Sequence, residues 1–312
     1  MKKHIIKPRR LEKGDTIGIV APACSFDKTK FKKGVSYLEN LGFKIKYDLM
    51  IFKKYWGFAG YDNHRARQIN RMFADKEIRA IFCAQAGYGS IRTIPGLDKR
   101  IIKSNLKIFV GYSDITVLLS YLYTVAGLVV FHGPVVSGEI HDKMSLKTRD
   151  YLLKAICSGE PLGEIKFHGI KSLKSGRASG VIVGGNLSLF ISTIGTPYEI
   201  DTRGKIVFFE DVGEDLEVID RYLMHLKLAG KFKNIKGMVF GKMQDCIDAS
   251  GGKRTMAEVL ADILKDVKVP IIYGFPSGHR SQGETNVTLP LGVNCTIDAD
   301  RAAISIDESG VS

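Results

Sequence analysis

A hydroxyl acts as a nucleophile where a turn lifts it clear of its surroundings and a base can take its proton. Ser113 occupies such a place. It follows the short apolar run 108–110 and Gly111, and a helical pattern begins at once, with Val117, Leu118, Tyr121 and Val125 on one face. A serine at a sharp strand-to-helix turn has the geometry of a nucleophile elbow, and the free N–H groups of a helix start can face an oxyanion. The plainer reading of the same residues is that Ser113 or Asp114 caps the helix. Ile115 stands where the second glycine of a G-x-S-x-G motif would be.

Histidine is the usual base for such a serine, because its ordinary pKa lies near neutrality. Seven are available: His4, His64, His132, His141, His168, His225 and His279. His4, His64, His141 and His168 lie in polar surroundings, and His225 sits within an apolar helical pattern. His132 ends an apolar run in Phe-His-Gly-Pro, and His279 follows another in Pro276-Ser277-Gly278-His279. The residues alone leave these two in even contest. For the group that orients the base, Glu210 ends the apolar run 206–209, where a carboxylate is costly to desolvate unless it is partnered. Asp211 is its neighbour and competitor.

Other chemistries find little support. The loop 84–90 (Ala-Gln-Ala-Gly-Tyr-Gly-Ser) offers small residues and main-chain N–H groups, but no G-x-x-x-x-G-K-[ST] cradle exists. Gly180–Asn186 is too loose for a dinucleotide fingerprint, and there is no H-E-x-x-H. No cofactor and no metal are expected. Five cysteines (Cys24, Cys83, Cys157, Cys246 and Cys295) lie far apart and are odd in number, which fits a reducing compartment.

The elements that must position these groups alternate. Strands are expected at 16–20, 43–47, 80–83, 108–110 and 128–131, with helices between them, one closed by Gly42. Such alternation implies α/β architecture: a parallel sheet with helices on both faces, and sites at the carboxyl ends of the strands. Residues 1–140 form this N-terminal domain, and 141–176 read as a linker with a helix at 146–157. Residues 177–312 form a smaller mixed α/β C-terminal domain rich in short antiparallel strands, with strands at 178–183, 205–209, 237–240 and 269–273 and helices at 186–194, 216–228 and 255–265.

The chain has 312 residues, 45% hydrophobic and 25% charged, with a formal net charge of +13. The basic residues are scattered along amphipathic segments rather than gathered in a tract, so neither nucleic acid nor a membrane is expected as a partner. The N-terminus has no apolar region after its charges, and no run approaches the roughly 20 residues needed to span a bilayer, so a cytoplasmic location is expected.

The combination is more specific than its parts. Gly111-Tyr112-Ser113-Asp114, Gly184-Gly185-Asn186-Leu187-Ser188, Gly195-Thr196-Pro197-Tyr198, Phe209-Glu210-Asp211-Val212, Ile219-Asp220-Arg221 and Gly278-His279 occur in the order seen in the LD-carboxypeptidases. These are the muramoyltetrapeptide carboxypeptidases, a serine peptidase family that includes the microcin C immunity proteins. The chain resembles them from Ala21-Pro22 to the segment ending at Gly292. The resemblance implies Ser113 as nucleophile, His279 rather than His132 as base, and Glu210 as its orienter. It implies an oxyanion hole from the main-chain N–H of Asp114 and one from the Gly87 loop, and a small peptide substrate, a murein tetrapeptide or muropeptide, contacted by Gln85, Ala86 and Asn186. It also implies a homodimer. The alternatives are an immunity-type hydrolase of peptidyl or aminoacyl nucleotides, and an inactive binder of wall peptides. Family members commonly carry Arg-Gly-Gly-Tyr-Gly where this chain has Gln85-Ala86-Gly87-Tyr88-Gly89, which removes a charge and adds a methyl beside the expected hole. The segment Gly213-Glu214-Asp215-Leu216-Glu217 is more acidic than the family leads one to expect.

Overall fold

The computed structural model describes residues 5–141, 144–249, 251–281 and 283–312. Two sheets organise them. The first holds β1 (Thr16–Val20), β2 (Lys44–Lys46), β3 (Ile78–Cys83), β4 (Ile108–Gly111) and β5 (Val130–His132), all mutually parallel in the order β5-β4-β3-β1-β2. Its connections are the helices α1 (Lys28–Asn40), α2 (Asp62–Ala74), α3 (Lys99–Ser104) and α4 (Thr116–Tyr121). The inner strands are short, nearly continuous apolar runs because helices cover both faces of such a sheet, whereas the edge strand β2 is Lys44-Ile45-Lys46 with both lysines exposed. Gly42 ends the α1 region at φ +97°, a conformation a Cβ would disfavour.

The second sheet has eight strands and mixed direction. Its centre is parallel: β8 (Arg177–Asn186), β9 (Lys205–Glu210), β10 (Gly237–Gly241) and β11 (Ile271–Phe275). Antiparallel β13 (Asn294–Asp298), β14 (Ala303–Ile306) and β6 (Gly163–Ile165) extend it beyond β8, and β7 (Lys171–Lys174) closes the other edge against β11. The helices are α5 (Leu146–Cys157), α6 (Leu187–Ile191), α7 (Leu216–Leu228) and α8 (Met256–Ile263). The acidic segment before α7 has a local reason. Asp215 caps the helix by accepting from the Glu217 N–H, and Glu217 stands in the first turn, where the helix dipole favours a negative charge.

Two features differ from the boundaries read in the sequence. The segment 141–176 carries α5 as expected, but also β6 and β7, both paired into the second sheet. Near the C-terminus, β12 (Leu289–Leu291) crosses back and pairs antiparallel with β5 of the first sheet. Pairing partners this far apart in sequence leave no local signature, and strands of three or four residues carry too little periodicity to read. The crossing matters for the site. Gly292 and Val293, just after β12, exchange main-chain hydrogen bonds with Ile182 of β8 at 2.8 and 2.9 Å, so the two sheets are tied together.

Candidate active site

β4 is wholly buried and ends at Gly111; the chain then passes through Tyr112 and a single 3-10 turn, Ser113–Ile115, into α4. Tyr112 is extended, and Ser113 takes φ +60°. A non-glycine residue in the left-handed region costs about 1–2 kcal/mol. That strain sits on the one serine of a strand-to-helix turn, which is the arrangement a nucleophile elbow requires. The N–H of Asp114 lies in the first turn, where no carbonyl of the same helix can reach it.

The Asp114 side chain is buried and turned away, toward the glycine loop. It accepts from the N–H groups of Gly89 (3.3 Å) and Ser90 (2.8 Å), while Ser90 Oγ donates to the Asp114 carbonyl (2.6 Å). Burial pushes its carboxyl up, and the Ser90 and Gly89 donors work against that. Arg65, with no exposed surface, grips the same loop: its guanidinium donates to the carbonyls of Gly89 (3.0 Å) and Pro22, pairs with Asp62, and lies 4.9 Å from the centre of the Phe58 ring. The Gly89 and Ser90 N–H groups are thus spent on Asp114. Gly87, at φ +108°, has an N–H with no partner among the described residues. The Asp114 carboxylate, a candidate helix cap in the sequence, anchors the loop instead of capping its own helix, and Arg65 has no signal in the sequence. A buried arginine cannot be told from a surface one without the fold.

Gln85 and Ala86 open this loop after β3. Ala86 is buried and outside the left-handed region, so a methyl is accommodated there without backbone strain. Gln85 Oε1 accepts from Ser137 Oγ (2.9 Å), which also donates to the Ala84 carbonyl (2.8 Å).

Glu210 ends β9 with none of its surface exposed. One oxygen, Oε2, accepts twice from His279: from Nδ1 at 2.7 Å and from the main-chain N–H at 2.9 Å. Burial alone would raise the carboxyl, but the charge and hydrogen bonds of His279 outweigh it and hold it at about 2. His279 responds in kind: burial lowers its pKa, Glu210 raises it more, and the net shift is upward. Gly278 is a glycine for a steric reason as well as for its φ of +100°. A Cβ there would come within 2.4 Å of Glu210 Cγ and Oε2.

The His279 ring packs on Tyr112, the residue before Ser113, with ring centres 4.8 Å apart. The nucleophile turn of the first sheet and the imidazole–carboxylate pair of the second therefore meet. The Ser113 hydroxyl is half-buried and has no hydrogen-bond partner among the described residues. Bonds of this kind are often long in the resting enzyme and tighten on substrate.

His132 is wholly buried, with Nε2 4.0 Å from Glu210 Oε1, and burial lowers its pKa to about 4 despite that carboxylate. It faces the carboxylate rather than solvent. Asn186 caps α6 and is buried: Nδ2 donates to Asp211 Oδ1 (2.9 Å), Oδ1 accepts from Ser188 Oγ (2.7 Å), and its N–H donates to Thr116 Oγ1 of α4 (3.0 Å). Its amide is committed within the chain, so Asn186 stitches α4 to the second sheet rather than standing open to a substrate. Asp211 is raised to about 6 by burial and by the charge of Glu210. Of the other histidines, His141 is buried, contrary to the polar surroundings its sequence suggested, and His4 lies outside the described residues.

A cavity of about 470 Å³ opens beside His279, lined among others by Lys171, Lys242, Arg280, Tyr273 and Glu284. Its balance of charge suits an anionic group. Among the described residues no cluster of three His, Cys, Asp or Glu could hold a metal ion, and no helix is long and apolar enough to cross a membrane.

Comparison with known proteins gives concordant matches. The sequence model of the LD-carboxypeptidase N-terminal domain matches residues 17–133, and that of the C-terminal domain matches residues 179–297. A probable murein peptide carboxypeptidase of Bacillus subtilis (strain 168) is 36% identical over 98% of this chain and 95% of its own length. The microcin C7 self-immunity protein MccF of Escherichia coli is 30% identical over 100% of this chain and 98% of its own. Among solved structures, MccF in complex with glutamyl sulfamoyl guanosine superposes with a TM-score of 0.90 at 27% identity, covering 98% of this chain and 99% of that one. The muramoyltetrapeptide carboxypeptidase from Oxalobacter formigenes superposes with a TM-score of 0.85 at 25% identity, covering 94% and 99%.

Proposed function

We propose that this chain, which belongs to the LD-carboxypeptidase family, is a serine peptidase that removes the terminal D-alanine of murein tetrapeptides. The observation that carries the reading is the Glu210–His279 pair, bonded at 2.7 Å and packed on the residue that precedes the strained Ser113. Ser113 Oγ attacks the carbonyl of the L-centre and gives its proton to His279 Nε2. The oxyanion that forms takes hydrogen bonds from the Asp114 and Gly87 N–H groups. Collapse breaks the C–N bond, and His279 returns the proton to the leaving amine of D-alanine. Water then enters as the second nucleophile and loses a proton to His279; the C–Oγ bond of the acyl–serine ester breaks, and His279 returns that proton to Ser113 Oγ. Glu210 stays ionised throughout. It holds the Nδ1–H tautomer, leaving Nε2 free to accept, and stabilises the imidazolium that forms. The chain works in this reading as a cytoplasmic homodimer that handles recycled wall peptides, and sedimentation of the purified protein tests the dimer.

The deciding experiment is release of D-alanine from L-Ala-γ-D-Glu-(diamino acid)-D-Ala by wild type and by Ser113→Ala. Removal of a triad serine costs roughly 10⁶ in turnover. Release by wild type alone supports the nucleophile and the substrate class together; release by both removes Ser113 from the mechanism. A second reading keeps the same residues and changes the substrate to an aminoacyl nucleotide. The similarity to MccF favours it, and the cavity beside His279 admits an anionic group in either reading. Cleavage of an aminoacyl sulfamoyl adenosine, with the tetrapeptide left intact, would select that branch.

A further inference from the structure

Glu210 treats its two oxygens differently. Oε2 has both His279 donors, whereas Oε1, fully buried, has no hydrogen-bond partner among the described residues. A buried carboxylate oxygen without a donor is costly. The group that faces it comes from the other sheet. His132 ends β5, pairs in register with Gly111 at the end of β4, and is wedged edge-on between Tyr112 and Phe208, whose ring centres lie 5.8 and 5.3 Å away. Its Nε2 is 4.0 Å from Oε1, and neither ring nitrogen has a hydrogen-bond partner among the described residues. A closure of about 1 Å, or one bridging water, would complete a hydrogen bond there.

We propose that His132 is the positioning residue for Glu210: its Nε2–H donates to Oε1 and keeps the carboxylate turned so that Oε2 stays with His279. This rests on the serine-peptidase reading above and adds a fourth member to its hydrogen-bonded row. The tautomer follows from the partner, since an ionised carboxylate can only accept. The ring stays neutral because burial opposes its protonation. The charges of His279 and Arg280 act the same way, and only Glu210 opposes them. Full burial keeps His132 from exchanging protons with a substrate, so it acts through Glu210 alone.

The test uses His132→Phe, which keeps a ring and removes the donor, and His132→Gln, whose amide reaches the Nε2 position. The expected result for the Phe variant is a fall in kcat of roughly 10–100-fold with KM nearly constant, the size of a lost hydrogen bond to a charged group. The Gln variant recovers most of it. In ¹⁵N-imidazole spectra of the Phe variant, the raised pKa of His279 drops back toward its ordinary value. Two folded variants with wild-type kcat and an unmoved His279 titration would overturn the proposal, and so would equal losses in both. Should neither variant fold, the wild-type spectrum decides: a neutral Nε2–H ring at His132 supports the proposal, and an Nδ1–H ring overturns it. Should wild type release no D-alanine, the functional reading fails while the two titrations still judge His132.

Discussion

Replacing Glu210 by glutamine keeps the volume of the side chain and removes its charge. The Glu210 carboxyl is held at about 2, against an ordinary 4.5, even though burial works the other way. At 1.36 kcal/mol per pKa unit, the net preference of this site for the anion is roughly 3 kcal/mol. Its source is the His279 pair, so a neutral amide gives up a comparable part of the stabilisation of the His279 imidazolium, about two powers of ten in rate. Loss of tautomer control adds to this, and a triad deprived of its carboxylate typically loses about 10⁴ in turnover. The expected fall for Glu210→Gln is therefore 10²- to 10⁴-fold in kcat with KM little changed. The pH profile carries the sign. His279 must be neutral to accept a proton, and its pKa is raised in the folded protein, so wild-type kcat/KM should rise along an acid limb lying above the ordinary histidine value. Without the carboxylate that limb moves to lower pH. The effect on stability runs the same way: the depressed Glu210 pKa contributes stability above the ordinary carboxylate range, lost as pH falls toward 2. The raised His279 pKa contributes stability that is full below its ordinary value and fades as pH rises through the shifted one. The assay is D-alanine release from pH 5 to 9, beside urea denaturation. A Glu210→Gln enzyme within tenfold of wild type, with its acid limb unmoved, would refute the reasoning.

Three further outcomes are expected. Ser113→Gly and Ser113→Ala should both be inactive, but the Gly variant should be the more stable by about 1 kcal/mol in denaturant, because only glycine takes φ +60° without strain. Gly278→Ala should lose more than about 2 kcal/mol and most activity, since the new Cβ meets the Glu210 carboxyl at 2.4 Å; a variant of wild-type stability would show that the loop can yield. Asp114→Ala should lower kcat more than KM and cost about 2–4 kcal/mol in urea, by orphaning the N–H groups of Gly89 and Ser90 and loosening the loop that carries Gly87. An unchanged kcat there would separate the loop from the oxyanion.

Much of the architecture was legible in the residues because it rests on local rules. The apolar runs 108–110 and 206–209 lie in buried strands here, the first lengthened to Gly111 and the second extended at both ends to Lys205–Glu210. The helices read at 146–157 and 216–228 have those bounds, since their apolar spacing and capping residues lie within one segment. Even the acidic stretch before α7 yields to a local rule once Asp215 is seen as a cap. Where pairing joins distant segments the reading fell short. β6, β7 and β12 are too short to announce themselves and take partners from elsewhere in the chain.

The candidate site divides in the same way. The sequence by itself determined that a serine stands at a strand-to-helix turn, that a carboxylate ends a buried strand, and that a histidine follows another strand on a glycine turn, because each follows from residue type and immediate neighbours. Residue type and neighbours left His132 and His279 in even contest, since one ends an apolar run and the other follows one; only the family resemblance favoured His279. Tertiary structure alone decided that His279 bonds Glu210 at 2.7 Å while His132 faces the other oxygen from 4.0 Å. It alone turned the Asp114 carboxylate into the anchor of the glycine loop, buried Arg65 beneath that loop, and committed the Asn186 amide to Asp211. The physical reason is one of range. Backbone conformation and capping are set within a few residues, whereas desolvation and the partner that offsets it depend on which strand ends the two sheets bring together.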